Sequence, residues 1–204
     1  MKKIIKAKAP AVIAGFGAST LQGFCDYSHG GFMTRLQLWY CNEKNKRRVF
    51  NLGIGGDTTV DMVRRIKGEI EEREPELVIL LLGGNDFPRA NDSKPGMRST
   101  LAQYKKNLET MFKTLTGKKI LFLTSYAVDT VKTGISYETC CKYMDCAKKV
   151  AAKYKADIID VHALLKYKMK PSFMAPDGVH FNSKGHAWLF GLIKHHLSVR
   201  YDIA

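Results

Sequence analysis

Apolar residues recur along this chain in two alternating rhythms: short continuous runs of strand length, and longer stretches apolar at every third or fourth position. Ala11-Val12-Ile13-Ala14-Gly15-Phe16 is the first run, small and apolar throughout, as suits a strand buried on both faces. Runs at 49–54, 77–82, 119–125 and, more briefly, 157–161 repeat it. The Leu-Val-Ile-Leu-Leu-Leu of 77–82, bounded by Pro75 and Gly83, belongs in the centre of a parallel sheet. Between the runs lie helices. Thr58-Thr59-Val60-Asp61 has the Thr-x-x-acid form of a helix start, and Val60, Val63, Ile66 and Ile70 follow at helical spacing until Pro75. Leu101, Tyr104, Leu108, Met111, Phe112 and Leu115 mark another, closed by Gly117. Residues 32–40 and 137–154 read the same way, as does 183–199 with Trp188, Leu189, Leu192 and Ile193 on its apolar side. Residues 42–48, 87–97 and 128–135 are left as loops, and 87–97, with Pro88, Pro95 and Gly96, is the expected mobile loop over a site. Five alternations of strand and helix predict an α/β fold, one open and mostly parallel sheet with helices on both faces.

With 204 residues and 45% hydrophobic content, the chain is long enough for one well-buried core and short for two, so residues 1–204 are expected to form a single domain. No run approaches the ~18 apolar residues of a membrane span, and Met1 to Pro10 lacks the ~7–15-residue apolar core of a signal peptide. The expectation is a cytoplasmic protein without a membrane span. Five cysteines, Cys25, Cys41, Cys140, Cys141 and Cys146, include no C-x-x-C pair and read as reduced thiols, with those of 137–154 mostly buried as small hydrophobes.

A formal charge of +14 is compatible with nucleic acid, an anionic lipid surface or an acidic substrate. The basic residues are spread over 2–8, 44–48, 64–67, 148–155 and 166–170, which favours a solvated basic surface over a polyanion groove and argues against nucleic acid as a partner. Oligomeric state is not legible.

The candidate chemistry begins where the first strand stops. Gly17-Ala18-Ser19 delivers a hydroxyl to the strand's C-terminal end, where open α/β sheets bind their ligands. Taken alone, Ser19 is equally well a helix cap. Three further stretches tip the balance: Asn51-Leu52-Gly53-Ile54-Gly55-Gly56-Asp57-Thr58, then Gly83-Gly84-Asn85-Asp86, then Asp177-Gly178-Val179-His180-Phe181-Asn182-Ser183-Lys184-Gly185-His186. Serine, glycine block, Gly-Asn-Asp and Asp-x-x-His, in that order over nearly the whole chain, resemble the SGNH (GDSL-type) hydrolase family of lipases, esterases and acylhydrolases.

The resemblance implies a flavodoxin-like three-layer sandwich around a five-stranded parallel sheet. It also implies roles: Ser19 as nucleophile, His180 as general base and Asp177 as the group that orients it. The oxyanion donors it implies are the backbone N–H of Ser19, the backbone N–H of Gly56 and the side-chain amide of Asn85. Each residue type suits its task, since glycine admits close backbone approach and an asparagine amide is a neutral donor. No metal or other cofactor is called for. Gly17-Ala18-Ser19-Thr20-Leu21 is not the G-x-S-x-G elbow of α/β-hydrolases, because Leu21 stands in place of the second glycine. His186 reads as packing or helix-start chemistry, and His29, His162, His195 and His196 as exposed or partly buried bystanders. The turn 26–31 either lines a substrate pocket or simply connects.

One departure stands out: the family's usual Gly-Asp-Ser has Ala18 in place of the aspartate. That carboxylate ties neighbouring loops and moves no proton, so the chemistry survives its loss. The expected activity is hydrolysis of a small-molecule carboxylic ester or thioester through an acyl-serine. An acyltransferase would use the same residues. A basic polyanion-binding protein with a vestigial site is the alternative from another class. A flavin-binding reading finds only a loose phosphate loop in 15–20 and leaves Asp177 and His180 without a role.

Overall fold

Leu77–Leu81 is buried at every position and forms the middle strand of a five-stranded sheet. The computed structural model describes residues 6–44, 46–90, 92 and 98–203. In chain order the elements are β1 (Ala7–Lys8), β2 (Val12–Gly17), α1 (Ser19–Gln22), α2 (Gly31–Tyr40), β3 (Arg48–Gly53), α3 (Thr59–Arg73) and β4 (Leu77–Leu81). There follow α4 (Leu101–Thr114), β5 (Lys119–Leu123), α5 (Thr130–Thr133), α6 (Tyr137–Lys153), β6 (Asp157–Ile159), α7 (Val161–Leu164), α8 (Ser183–Arg200) and β7 (Tyr201–Asp202). The sheet runs β3-β2-β4-β5-β6 with every neighbouring pair parallel, the order of a flavodoxin-like doubly wound fold.

Alternation along the strands sorts the apolar side chains into two layers. Ile13, Leu77, Ile79, Leu81, Leu121 and Leu123 face α2 and α8, packing on Phe32, Met33 and Leu36 from one and Leu189, Ile193 and Leu197 from the other. Phe16, Val78, Leu80, Ile120 and Phe122 face α3, α4 and α6, against Met62, Ile66, Tyr104, Leu108, Phe112, Met144 and Val150. The helix start at 58–61 forms as its sequence predicts: the Asp61 carboxylate accepts the backbone N–H of Thr58 at 3.0 Å.

Two expectations change, one pairing is new, and one expectation falls mostly outside the described residues. The last strand stops at Ile159, because the Asp160 carboxylate caps a helical turn by accepting the Ala163 N–H at 3.0 Å. The expected loop 128–135 contains α5, capped by Asp129 and closed by Gly134. A two-stranded parallel pair, β1 with β7, ties the two ends of the chain together. Of the expected mobile loop, residues 91 and 93–97 lie outside the described residues, while Phe87 at its base is buried between the rings of Tyr104 and Tyr143. Among the described residues no helix is long and apolar enough to cross a membrane.

Candidate active site

Because β3 and β4 lie on opposite sides of β2, the chain reverses its winding direction there, and a crevice opens beyond the C-terminal ends of β2 and β4. Ser19 stands at its floor. Gly17 pairs with Leu81, and a Cβ on Gly17 would lie 2.5 Å from the Leu81 carbonyl oxygen, so the strand end admits no side chain. Ser19 is the first residue of α1, so its own N–H has no intrahelical acceptor. Its hydroxyl does not cap the helix. It lies 2.8 Å from His180 Nε2, contributed by the loop before α8.

That loop is assembled by its own sequence. Asp177 Oδ1 accepts the backbone N–H groups of Val179 at 2.8 Å and His180 at 3.0 Å, while Oδ2 lies 2.7 Å from His180 Nδ1. Met174 and Phe181 bridge across the loop, and Asn182 caps α8 by accepting from Lys184 and Gly185. An ionised carboxylate only accepts, so the imidazole proton sits on Nδ1 and Nε2 is left to accept the Ser19 hydroxyl. Burial pushes the Asp177 carboxyl up, but the hydrogen bonds from the His180 ring and from the backbone N–H groups of His180 and Val179 outweigh it, leaving it below the usual carboxylate range. Phe24 packs edge-on against the His180 ring, with centroids 4.7 Å apart.

Ser19, His180 and Asn85 line one small cavity of about 60 Å³ with Leu81, Leu82 and Ile135. Asn85 donates one amide N–H to the Asp57 carbonyl at 3.0 Å, which leaves its second N–H for another acceptor. Gly56 itself does not line the cavity, whereas its neighbour Asp57 does. Gly56 has φ +85°, a conformation that disfavours any side chain.

Several groups that hold these loops escaped the sequence reading. Arg65, which reads in sequence as part of a solvated basic run, is mostly buried: it stacks 4.1 Å over the Phe16 ring, pairs with Asp57 and donates to the Leu52 carbonyl at 2.9 Å. Asp86 is buried and binds Thr59 and Ser99, joining the turn after β4 to the start of α3 and the segment before α4. Loops are thus tied by carboxylates without one at position 18. The Tyr126 phenol, hydrogen-bonded to the Thr20 hydroxyl at 2.8 Å, is stacked on Phe181.

Of the bystander histidines, His162 is a correction. It is buried, not exposed or half-buried, because Asp160 turns the chain into α7 and carries it inward; burial pushes its pKa down. His186 is fully buried over Phe32 and donates from Nε2 to the Phe24 carbonyl at 3.1 Å, so it braces the segment packed on His180. Among the three cysteines of α6, Cys140 is buried and Cys141 and Cys146 only half-buried. The turn 26–31 does not line the cavity; its buried Asp26 receives the Gly31 N–H and Arg35, and Arg35 reaches Ser183 at the start of α8. Cys25, Asp177 and His180 place possible metal-binding atoms within 4.8 Å of one another, but a metal there would have to break the Asp177–His180 bond.

Comparison with known proteins finds similarity to esterases and acylhydrolases. Esterase TesA of Pseudomonas aeruginosa is 32% identical over 115 residues, a match spanning 55% of this chain and about half, 49%, of that relative's length. A lipase/acylhydrolase of Enterococcus faecalis superposes with a TM-score of 0.79 at 24% identity over 95% of this chain and 98% of its own. The W215I variant of Axe2, an acetyl xylan esterase from Geobacillus stearothermophilus, gives 0.78 at 20% identity over 98% and 100%. At those identities the two structures speak for the fold. The model of the GDSL-like lipase/acylhydrolase family matches residues 15–188, and with the four sequence blocks converging on one crevice, the chain belongs to that family.

Proposed function

We propose that the protein is a serine esterase that hydrolyses a short carboxylic ester through an acyl-enzyme at Ser19. The observation that carries this reading is the unbroken chain from Ser19 Oγ through His180 to Asp177, at 2.8 and 2.7 Å. His180 Nε2 takes the hydroxyl proton as Ser19 Oγ attacks the ester carbonyl, and Asp177 stabilises the imidazolium that forms. The tetrahedral oxyanion is received by the N–H of Ser19 and the free amide N–H of Asn85, with the N–H of Gly56, one residue before the cavity-lining Asp57, as the third donor. His180 then protonates the departing alcohol. A water, deprotonated by the same nitrogen, releases the acid and restores Ser19. A cavity of about 60 Å³ has room for a handful of water-sized groups, which points to a short acyl part. The relative named esterase TesA supports the reaction class. An acceptor alcohol in place of water would make the same site an acyltransferase.

The test is a series of p-nitrophenyl esters of increasing acyl length, with and without a serine-directed organophosphonate, followed by mass spectrometry of the labelled protein. Turnover that falls with acyl length and is abolished by a single adduct on Ser19 is expected. Undiminished turnover with Ser19 unlabelled would remove the assignment.

A further inference from the structure

Arg89 lines the same cavity as Ser19, Asn85 and His180, four residues beyond Asn85. Its Nε is buried and has no hydrogen-bond partner, and no carboxylate among the described residues forms an ion pair with its guanidinium. Asp92, the acid whose field reaches it, is already committed: Oδ1 takes Arg98 Nε at 3.2 Å and Oδ2 the Arg89 backbone N–H at 2.9 Å. The residues outside the described set carry no acidic side chain that would serve instead. Two guanidinium groups therefore share one carboxylate. Burial and the charge of Arg98 push the Arg89 pKa down, as expected of a cation short of partners.

A guanidinium that shares its one nearby carboxylate with Arg98 and keeps a buried Nε unpaired is short of acceptors, and its planar fork matches a carboxylate. Here it lines the same cavity as the nucleophile. We propose that this site takes esters bearing an anionic group, a carboxylate by preference, within a few atoms of the scissile carbonyl, and that Arg89 binds that anion. The proposal rests on the esterase reading for its reaction and on Arg89 alone for its selectivity. The anion has two possible sources, the acyl part or the alcohol part.

Matched esters separate them. Monoethyl succinate against ethyl succinamate changes the acyl part from carboxylate to neutral amide at nearly constant shape, and O-acetylglycolate against O-acetylglycolamide does so in the alcohol part. In the wild type, the charged member of one pair is expected to have the higher kcat/KM. Arg89→Ala should lower kcat/KM for that member about tenfold more than for its amide, with Arg89→Lys in between and melting temperatures reporting that both variants fold. Calorimetric binding of succinate, and of glycolate for the alcohol side, gives a readout independent of turnover, and Arg89→Ala should weaken whichever binds by about tenfold. Equal treatment of charged and neutral members, or a charge preference that survives Arg89→Ala, overturns the proposal. If no ester turns over but anion binding still depends on Arg89, the esterase reading falls and the anion site stands. If neither turnover nor Arg89-dependent binding is seen, both fall.

Discussion

Asp177 holds His180 from two sides at once: one carboxylate oxygen accepts the His180 backbone N–H at 3.0 Å and the other meets the ring Nδ1 at 2.7 Å. The three-residue spacing makes this possible, since a single turn brings the backbone and the ring of the same residue to one carboxylate. The imidazole is thereby fixed in position and in tautomer before any substrate arrives, with Nε2 aimed at Ser19.

This arrangement sets an order among three variants. Ser19→Ala and His180→Ala should each reduce kcat by roughly 10⁴–10⁶, and the double variant should be no worse than either, because the two act as one proton-transfer unit. Asp177→Ala should be about 10–100 times less damaging, since Asp177 orients the base without taking the proton. Steady-state kinetics on one ester decides it, and additive losses would show that the residues act separately.

Asp177 also links the loop to pH. Its carboxyl lies below the usual range when folded, so the stability it contributes is present above the ordinary carboxylate pKa of ~3.9 and is lost as pH falls through its lowered value. In urea unfolding, the gap between wild type and Asp177→Asn should be full at neutral pH and close in strong acid. A gap independent of pH would place the contribution in packing instead.

The centre of the sheet was legible because β2 and β4 are buried at every position and so appear as uninterrupted apolar runs. The ends were less so. Asp160 and Asp129 are ordinary polar residues in sequence, and only their capping contacts turn the segments after them into helices. The β1–β7 pair was hidden for another reason: two residues from each end of the chain meet across about 194 positions, and so short a strand has no period to read.

Site residues divide the same way. Ser19, Asn85, Asp177 and His180 lie in local blocks whose spacing can be read, and they meet around one crevice. Arg65 and Arg89 do not, because each looks like one more basic residue in a chain of charge +14 until folding buries part of its guanidinium. What distinguishes them is burial and the presence or absence of a partner, which no linear pattern carries.

Asn85→Ala should lower kcat by about 10²–10³, or ~2.7–4 kcal/mol, with little change in KM, because its free N–H matters chiefly when the oxyanion forms. The lost bond to the Asp57 carbonyl should show separately as a lower melting temperature. A rise in KM alone would make Asn85 a ground-state contact.

The charge of +14 is expected to act locally and weakly. Mixed-sequence DNA or RNA should show no saturable binding near physiological salt, whereas a polyanion groove making six to ten phosphate contacts would lose about 10³–10⁵ in affinity between ~50 and ~200 mM salt. Retardation assays across that range are sufficient, and tight binding with a steep salt slope would revive the polyanion reading.

Asp86 couples the stability of the fold to the placement of Asn85 beside it. Its carboxylate is buried and accepts three hydrogen bonds, from the Thr59 N–H at 2.9 Å, the Thr59 hydroxyl at 2.6 Å and the Ser99 hydroxyl at 2.7 Å. Asn107 extends the network by donating to the Thr59 hydroxyl oxygen at 2.9 Å. Asp86→Ala strands these donors out of water and should cost about 2–4 kcal/mol in chemical denaturation. A shift of the turn by ~1 Å would in addition lower kcat by up to ~10²-fold. The pH response distinguishes this carboxylate from Asp177. Burial raises the Asp86 pKa despite the bonds from Thr59 and Ser99, so ionisation is more costly folded than unfolded. Its contribution to stability must therefore decline as pH rises from ~3.9 through its folded value, the opposite sign to Asp177. Asp86→Asn, which cannot ionise, should lack that decline while still being less stable than wild type, because its amide nitrogen faces donors. A wild-type decline that persisted unchanged in Asp86→Asn would assign it to another group.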